Sequence, residues 1–237
     1  MRSVRSIDLS IYVRSLGLFV RNPALIAAPL VMAIVGIFFN MVLGGAIGPL
    51  GGIGGLIAFL LISFGFGVSL ILAEQAWRRG KTSFDAAWDE ARAKGGAILL
   101  AAIGFNFVLY VAGFAGQIIS GLGLILEALA LYFFIYAIPA AAIGGIPGGA
   151  ALQVSIERVR ASYVPTAIMC IVSIVLFLYV GTYLGAWIGT LLGPAGLVSP
   201  TIVSALINAL VQALILGYLS LVFSKHYDDV SFRPPRW

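Results

Sequence analysis

Residues 54–81 read GGLIAFLLISFGFGVSLILAEQAWRRGK, a long apolar run that ends in a cluster of cations. The hydrocarbon core of a bilayer takes about 20 apolar residues of helix. Residues 54–76 supply that length before Arg78, Arg79 and Lys81 close it. Working outward, five further segments of the same kind lie at 24–44, 96–117, 123–145, 165–189 and 202–223. Glycine and proline punctuate the connections, as in residues 44–49 (GGAIGP), Ser120 to Gly123, and Gly193-Pro194 through Ser199-Pro200. The first run starts only after Arg21 and is too long for the apolar region of a signal peptide, so it reads as span 1.

Composition agrees with this reading. Of the 237 residues, 61% are hydrophobic and 10% charged, whereas a soluble domain carries about 25% charged residues. One soluble core of this size cannot hide so much apolar surface; lipid removes the difficulty because apolar side chains can then face outward. The 29 glycines fit close packing of helices in a bilayer.

The charges sort by side. Arg2, Arg5, Arg14 and Arg21 precede span 1; Arg78, Arg79, Lys81, Arg92 and Lys94 lie between spans 2 and 3. Arg158 and Arg160 lie between spans 4 and 5, and Lys225, Arg233 and Arg236 follow span 6. These are all 14 basic residues, and the three opposite loops carry no charge. The positive-inside rule then predicts a multi-pass plasma membrane protein with both termini cytoplasmic. The net charge of +5 therefore points to anionic headgroups at the cytoplasmic face and not to nucleic acid.

The cytoplasmic segments have helical patterning. Phe84, Ala87, Trp88 and Ala91 fall on one face, with Asp85 in the first turn, Arg92 and Lys94 in the last, and Glu90 paired to Lys94 at i,i+4. Leu152, Ile156, Val159 and Tyr163 make a second stripe, and Val4, Ile7, Ile11 and Leu18 a looser third. The expected fold is all-α: six transmembrane helices in a single domain, with amphipathic interfacial helices before spans 1, 3 and 5. The repeated unit of one such helix and a transmembrane hairpin reads either as duplication or as the form short loops impose.

Three stretches resemble a bacterial and archaeal six-helix family, the glycerophosphoryl diester phosphodiesterase membrane domain-like proteins. They are residues 73–88 (AEQAWRRGKTSFDAAW), Ala137-Ile138-Pro139 followed by residues 148–155 (GGAALQVS), and residues 223–229 (FSKHYDD). The resemblance covers nearly the whole chain and implies a fold and a membrane location. Fused members carry the phosphodiesterase as a separate soluble barrel, for which these 237 residues leave no room, so hydrolysis is not implied.

Glu127 is the acidic residue placed away from the cytoplasmic segments, about one turn into span 4 from the outer side; an ionisable group there is a functional hypothesis. Gln117, Asn208, Gln212 and Asn40 fall near the same depth and complete a candidate polar cluster, in which an amide would satisfy a protonated carboxyl. Structural satisfaction, a lipid or small-solute pocket, and proton coupling are the open readings. Gly181, Gly185 and Gly189 form a GxxxGxxxG stripe for helix packing, within the chain or in an oligomer. No cofactor or metal site is expected: His226 is the only histidine and reads as interfacial, and Cys170 is the only cysteine. The glycines of residues 51–55 lack the lysine of a phosphate-binding loop.

No catalytic constellation emerges, and the expectation is a non-enzymatic membrane scaffold or lipid-associated accessory factor. Its partners would be membrane lipids and a homo-oligomer or another membrane protein. A small-solute or lipid transporter is the alternative, for which Pro139 and Gly144-Gly145 in span 4 are the hint, and an intramembrane enzyme comes third. Cysteines introduced at Ser120 and Ser199 are expected to react with an impermeant thiol reagent added to intact cells, and one at Ser83 to stay unlabelled. Labelling of Ser83 refutes the six-span arrangement.

Overall fold

The computed structural model describes residues 8–44, 49–118, 122–184, 187–188 and 200–231, and among these the secondary structure is helical with no strand. Helix α1 spans Ser10–Arg21, α2 Ala24–Gly44, α3 Pro49–Arg79, α4 Phe84–Ala93 and α5 Gly95–Ile118. Helix α6 spans Gly123–Phe134, α7 Ala137–Ala142, α8 Gly148–Ala161 and α9 Tyr163–Ile174. A π-helix follows over Val175–Leu184, and α10 covers Pro200–Ser231.

Four stretches are long and apolar enough to cross a membrane: Ile53–Arg79, Gly95–Gly116, Gly123–Ala142 and Ile202–Asp229. The number rises to six if α1 with α2, bent by 79°, and α8 with α9, bent by 113°, each form one span. Proline causes both bends. Asn22 precedes Pro23, which pushes it out of the helical region, and its side chain holds the corner by donating to Leu18 O at 2.9 Å and accepting from Thr82 Oγ1 at 3.3 Å. Pro165, in the first turn of α9, cannot continue α8, because its ring excludes the carbonyl four residues back. Ser162 at that corner donates to Arg158 O at 2.9 Å. Before α1, Asp8 accepts from Ser10 N at 3.0 Å, and hydrogen bonding from Ser10, its side chain first and its backbone second, holds the Asp8 carboxyl below the usual range.

Helices α3 and α10 form the centre. Val68 and Leu70 through Ala73 on α3 are buried, as are Leu219 and Leu221 through Phe223 on α10. Phe66 and Phe223 meet edge to face at 5.7 Å, and Trp77 Nε1 donates to Leu221 O at 2.9 Å. Small residues let the backbones approach. A Cβ on Gly65 would lie 3.0 Å from Ala28 O, and one on Gly217 3.1 Å from Leu25 O. Ser69 Oγ donates to Leu25 O at 2.7 Å, joining α3 to α2.

The structure corrects several expected boundaries. Span 4 is no single helix over 123–145: it breaks at Ile135-Tyr136 into α6 and α7. Span 5 changes from α to π at Val175, and the described part of it ends at Leu184. Helix α10 runs on past residue 223 through the expected tail, supported by the Lys225–Asp229 ion pair at 2.8 Å. His226, near the end of α10, is buried against Tyr12 of α1, ring centroids 6.0 Å apart.

The amphipathic stripes also differ in their partners. Helix α4 turns Ala87 and Ala91 inward and sets Trp88 edge to face against Phe64 of α3 at 5.7 Å, so protein covers its apolar face. Helix α8 buries Ala151, Ser155 and Val159, a smaller face one step round from Leu152, Ile156 and Tyr163. Helix α1 buries Ile11 and Ser15 while Leu9, Val13, Leu16 and Val20 stay exposed along its other side.

Gly65→Val forces α2 away from α3 and is expected to cost about 1–3 kcal/mol, read as a lower melting temperature in detergent. Gly55→Val, at a position with nothing within 4 Å of a Cβ, leaves that temperature unchanged.

Candidate functional site

Six phenylalanines converge near the centre of the bundle. Phe59 and Phe66 come from α3, Phe105 from α5, Phe134 from α6, Phe177 from the π-helix and Phe223 from α10. Together with aliphatic side chains they line a half-open cavity of about 410 Å³, within the range of roughly 300–1,000 Å³ usual for ligand pockets. Its polar side chains are Ser63 and Ser173. Ser173 donates to Met169 O at 2.8 Å, while the Ser63 hydroxyl bonds to no described residue. The wall is an apolar surface with one available hydroxyl, which suits a hydrocarbon chain and not an ion.

Two irregular stretches of backbone border the cavity. Pro139 has no N–H to offer the Ile135 carbonyl, and the helix opens there. Helix α8 repairs the break with one side chain: Tyr136 N donates to Ser155 Oγ at 3.0 Å, and Ser155 Oγ donates to Phe133 O at 2.8 Å. Phe134, Ile135 and Ile138 on either side of the break face the cavity. Across it, Ser173 and Ile174 lead into the π-helix that carries Phe177. Serine bonded back to the carbonyl four residues earlier loosens a helix, and π turns recur at functional sites.

Buried polar groups gather toward the other end of α9 and α10. Tyr136 Oη and Thr166 Oγ1 are 3.2 Å apart, and Ser162 Oγ is 3.1 Å from Thr166 Oγ1. Arg158 lies over the Tyr227 ring at 3.6 Å and donates to Tyr227 O at 2.7 Å. Tyr12 Oη, Ser15 Oγ, Ser224 Oγ and His226 Nε2 are buried without a hydrogen-bond partner among the described residues. Their polar seam runs where α1 packs on α10.

A separate polar pocket of about 370 Å³ opens between α3, α4 and the end of α7, lined by Glu74, Gln75, Arg78, Arg79 and Glu90 over Ile71 and Ile143. Glu74 pairs with Arg78. The expected Glu90–Lys94 pair is present at 2.6 Å, and the same ammonium donates to Ala142 O at 2.9 Å and Ile143 O at 3.3 Å. Lys94 thus ties α4 to the C-terminal carbonyls of α7.

The residues singled out from sequence are dispersed. Glu127 is exposed on α6, its Oε1 2.7 Å from where a Cβ on Gly113 of α5 would lie, and its carboxylate bonds to no described residue. Asn208 and Gln212 bond each other at 3.4 Å and line a cavity of about 190 Å³ with Ala33, Gly36 and Ala58, so they face α2 and α3. The structure therefore does not bring Glu127 to these amides. The side chains of Asn40 and Gln117 lie outside the described residues. Gly181 packs toward α10, a Cβ there lying 3.5 Å from Ile215 Cδ1, while Gly185 and Gly189 lie outside the described residues.

Sequence reasoning passed over Glu74, although it falls inside the apolar run 54–76 and carries its own signal as an acid within a span. The phenylalanine wall had no such signal, because phenylalanine is equally at home facing lipid. Among the described residues, no three His, Cys, Asp or Glu side chains gather as a metal site. Comparison with protein-family models, curated proteins and solved structures finds no match to this chain.

Ser155→Ala removes both bonds that patch the break and leaves the buried Tyr136 N–H unpaired, at a cost of about 1–3 kcal/mol. Ser155→Thr keeps the hydroxyl. Thermal unfolding in detergent is expected to show a clear loss for alanine and a smaller one for threonine; equal losses would mean that the hydroxyl is immaterial.

Proposed function

We propose that this chain is a six-span plasma membrane protein with cytoplasmic termini that holds the hydrocarbon chain of a lipid in the phenylalanine-lined cavity, and that it serves as a lipid-associated accessory factor without catalysis. The cavity is the observation that carries this reading. Its wall joins α3, α5, α6, α7, α9, the π-helix and α10, and a hydrocarbon chain gains from burial there at about 0.8 kcal/mol per CH2. The one-sided cations supply the cytoplasmic orientation and a surface for anionic headgroups. Helix α1, bent 79° from α2 with Leu9, Val13, Leu16 and Val20 outward, serves as the interfacial helix before span 1. The likeness to the six-helix membrane family points to the same location.

Transport of a lipid is the second reading, favoured by the broken span 4 and the π-helix on opposite walls of the cavity. Irregular backbone at membrane depth is where many transporters place their substrate.

Filling the cavity tests the first reading. The protein is extracted in a mild detergent, and retained lipid is counted by native mass spectrometry. Ser63→Phe is expected to lose the bound lipid while keeping the parent's melting temperature, and Ile138→Phe provides a second plug should the first misfold. Undiminished lipid on a folded, plugged variant refutes the assignment. Movement of a labelled lipid between leaflets of reconstituted vesicles, abolished by the same plug, establishes transport.

A further inference from the structure

We infer that the polar pocket between α3, α4 and the end of α7 is a second binding site, for a zwitterion that carries both a primary ammonium and an anionic group. The charge arrangement leads to this. Glu74 and Arg78, ion-paired on one turn of α3, line the pocket with Arg79 beside them and with Glu90 of α4, to which Lys94 is attached. The two carboxylates and two guanidiniums of the lining balance, so an ion of either sign alone would leave the pocket charged, whereas a zwitterion leaves it neutral.

Both halves of such a ligand find groups that the protein does not itself use up. Arg79 forms no ion pair or hydrogen bond with any described residue. Gln75 accepts from Ser83 N through Oε1 at 2.9 Å, which leaves its amide N–H groups as donors. These two make the anion end. Glu90 binds Lys94 through Oε1, and its Oε2 remains to accept from an ammonium; this is the cation end. Ile71 and Ile143 give the pocket an apolar side, where the uncharged part of the ligand rests. The site lies at the cation-rich end of α3, the level at which the proposed topology places lipid headgroups. An aminophospholipid headgroup and a soluble zwitterion share this chemistry. Three N–H donors distinguish a primary ammonium from the quaternary ammonium of a choline headgroup, which has none to give Glu90.

The full-length protein is delipidated in detergent and titrated with phosphatidylethanolamine, phosphatidylcholine or phosphatidylglycerol, and bound lipid is read by native mass spectrometry. Phosphatidylethanolamine is expected to bind about tenfold more tightly than either of the others, the factor that one charge-assisted hydrogen bond carries. Arg79→Gln, on an exposed side chain that holds no part of the fold together, removes the preference, and Glu90→Gln lowers it by a similar factor. Soluble glycerophosphoethanolamine distinguishes the source. If it competes at this site, the ligand is a free zwitterion; if it fails while the lipid stays bound, the ligand is the headgroup in the membrane. The cavity-plugged Ser63→Phe keeps the preference, which separates this site from the phenylalanine-lined one. Equal binding of the three lipids, or a preference that survives Arg79→Gln, overturns the inference.

Discussion

One serine hydroxyl holds the middle of the molecule together. Hydrocarbon offers no water to an open backbone, so a helix that breaks inside a membrane must find its missing partners in the protein. Ser155 provides two of them at once, one as acceptor and one as donor. That double role fixes α8 beside the broken span and turns Phe134 and Ile135 toward the cavity. Tyr136, placed by the same contact, reaches Thr166 of α9 and brings a third element into register. Phe134, Ile135 and Ile138, on either side of the break, line the cavity.

Close approach does the remaining work. Between lipid-immersed helices there is no hydrophobic gain from leaving water, and packing rests on dispersion and on backbone proximity. Helix α3 meets α2 through Gly65 and Ser69 and meets Ile98 of α5 through Gly67, where a Cβ would lie 3.0 Å from the isoleucine. These small residues occupy successive sides of the helix, which is why α3 can be surrounded. The aromatic residues fill what the glycines leave open, Phe66 against Phe223 above all.

Much of this was legible in the sequence, and the limit has a physical basis. The apolar run 24–44 coincides with α2, and the run 96–117 with α5, which extends one residue further at each end. Helix α4 and its Glu90–Lys94 pair were readable from a period and a spacing. Apolar length and charge placement report depth along a helix axis, and depth survives into the fold. The direction in which a residue faces around that axis does not follow from depth when every face is apolar. Glu127 and Asn208 were grouped because they shared a level, yet one faces α5 and the other α2 and α3. On α8 the stripe read from large apolar residues shares Val159 with the buried line, whose other members, Ala151 and Ser155, are small and give no apolar signal. Pro139 marked span 4 as irregular, but nothing in the sequence named Ser155 as its remedy.

The unbroken length of α10 bears on how the protein responds to its membrane. Its apolar part, residues 202–223, extends about 33 Å at 1.5 Å per residue, against a hydrocarbon core of about 30 Å. A rigid helix of that length cannot shorten when a bilayer thins, so it meets a change of thickness by tilting. Helix α1 is fastened to it at Tyr12 and Phe19 through Tyr218. In the proposed topology, tilt of α10 therefore raises or lowers the outward row of Leu9, Val13, Leu16 and Val20 against the headgroups. In that topology a change in bilayer thickness, which varies between membranes and with acyl-chain length, would alter the depth of one amphipathic helix.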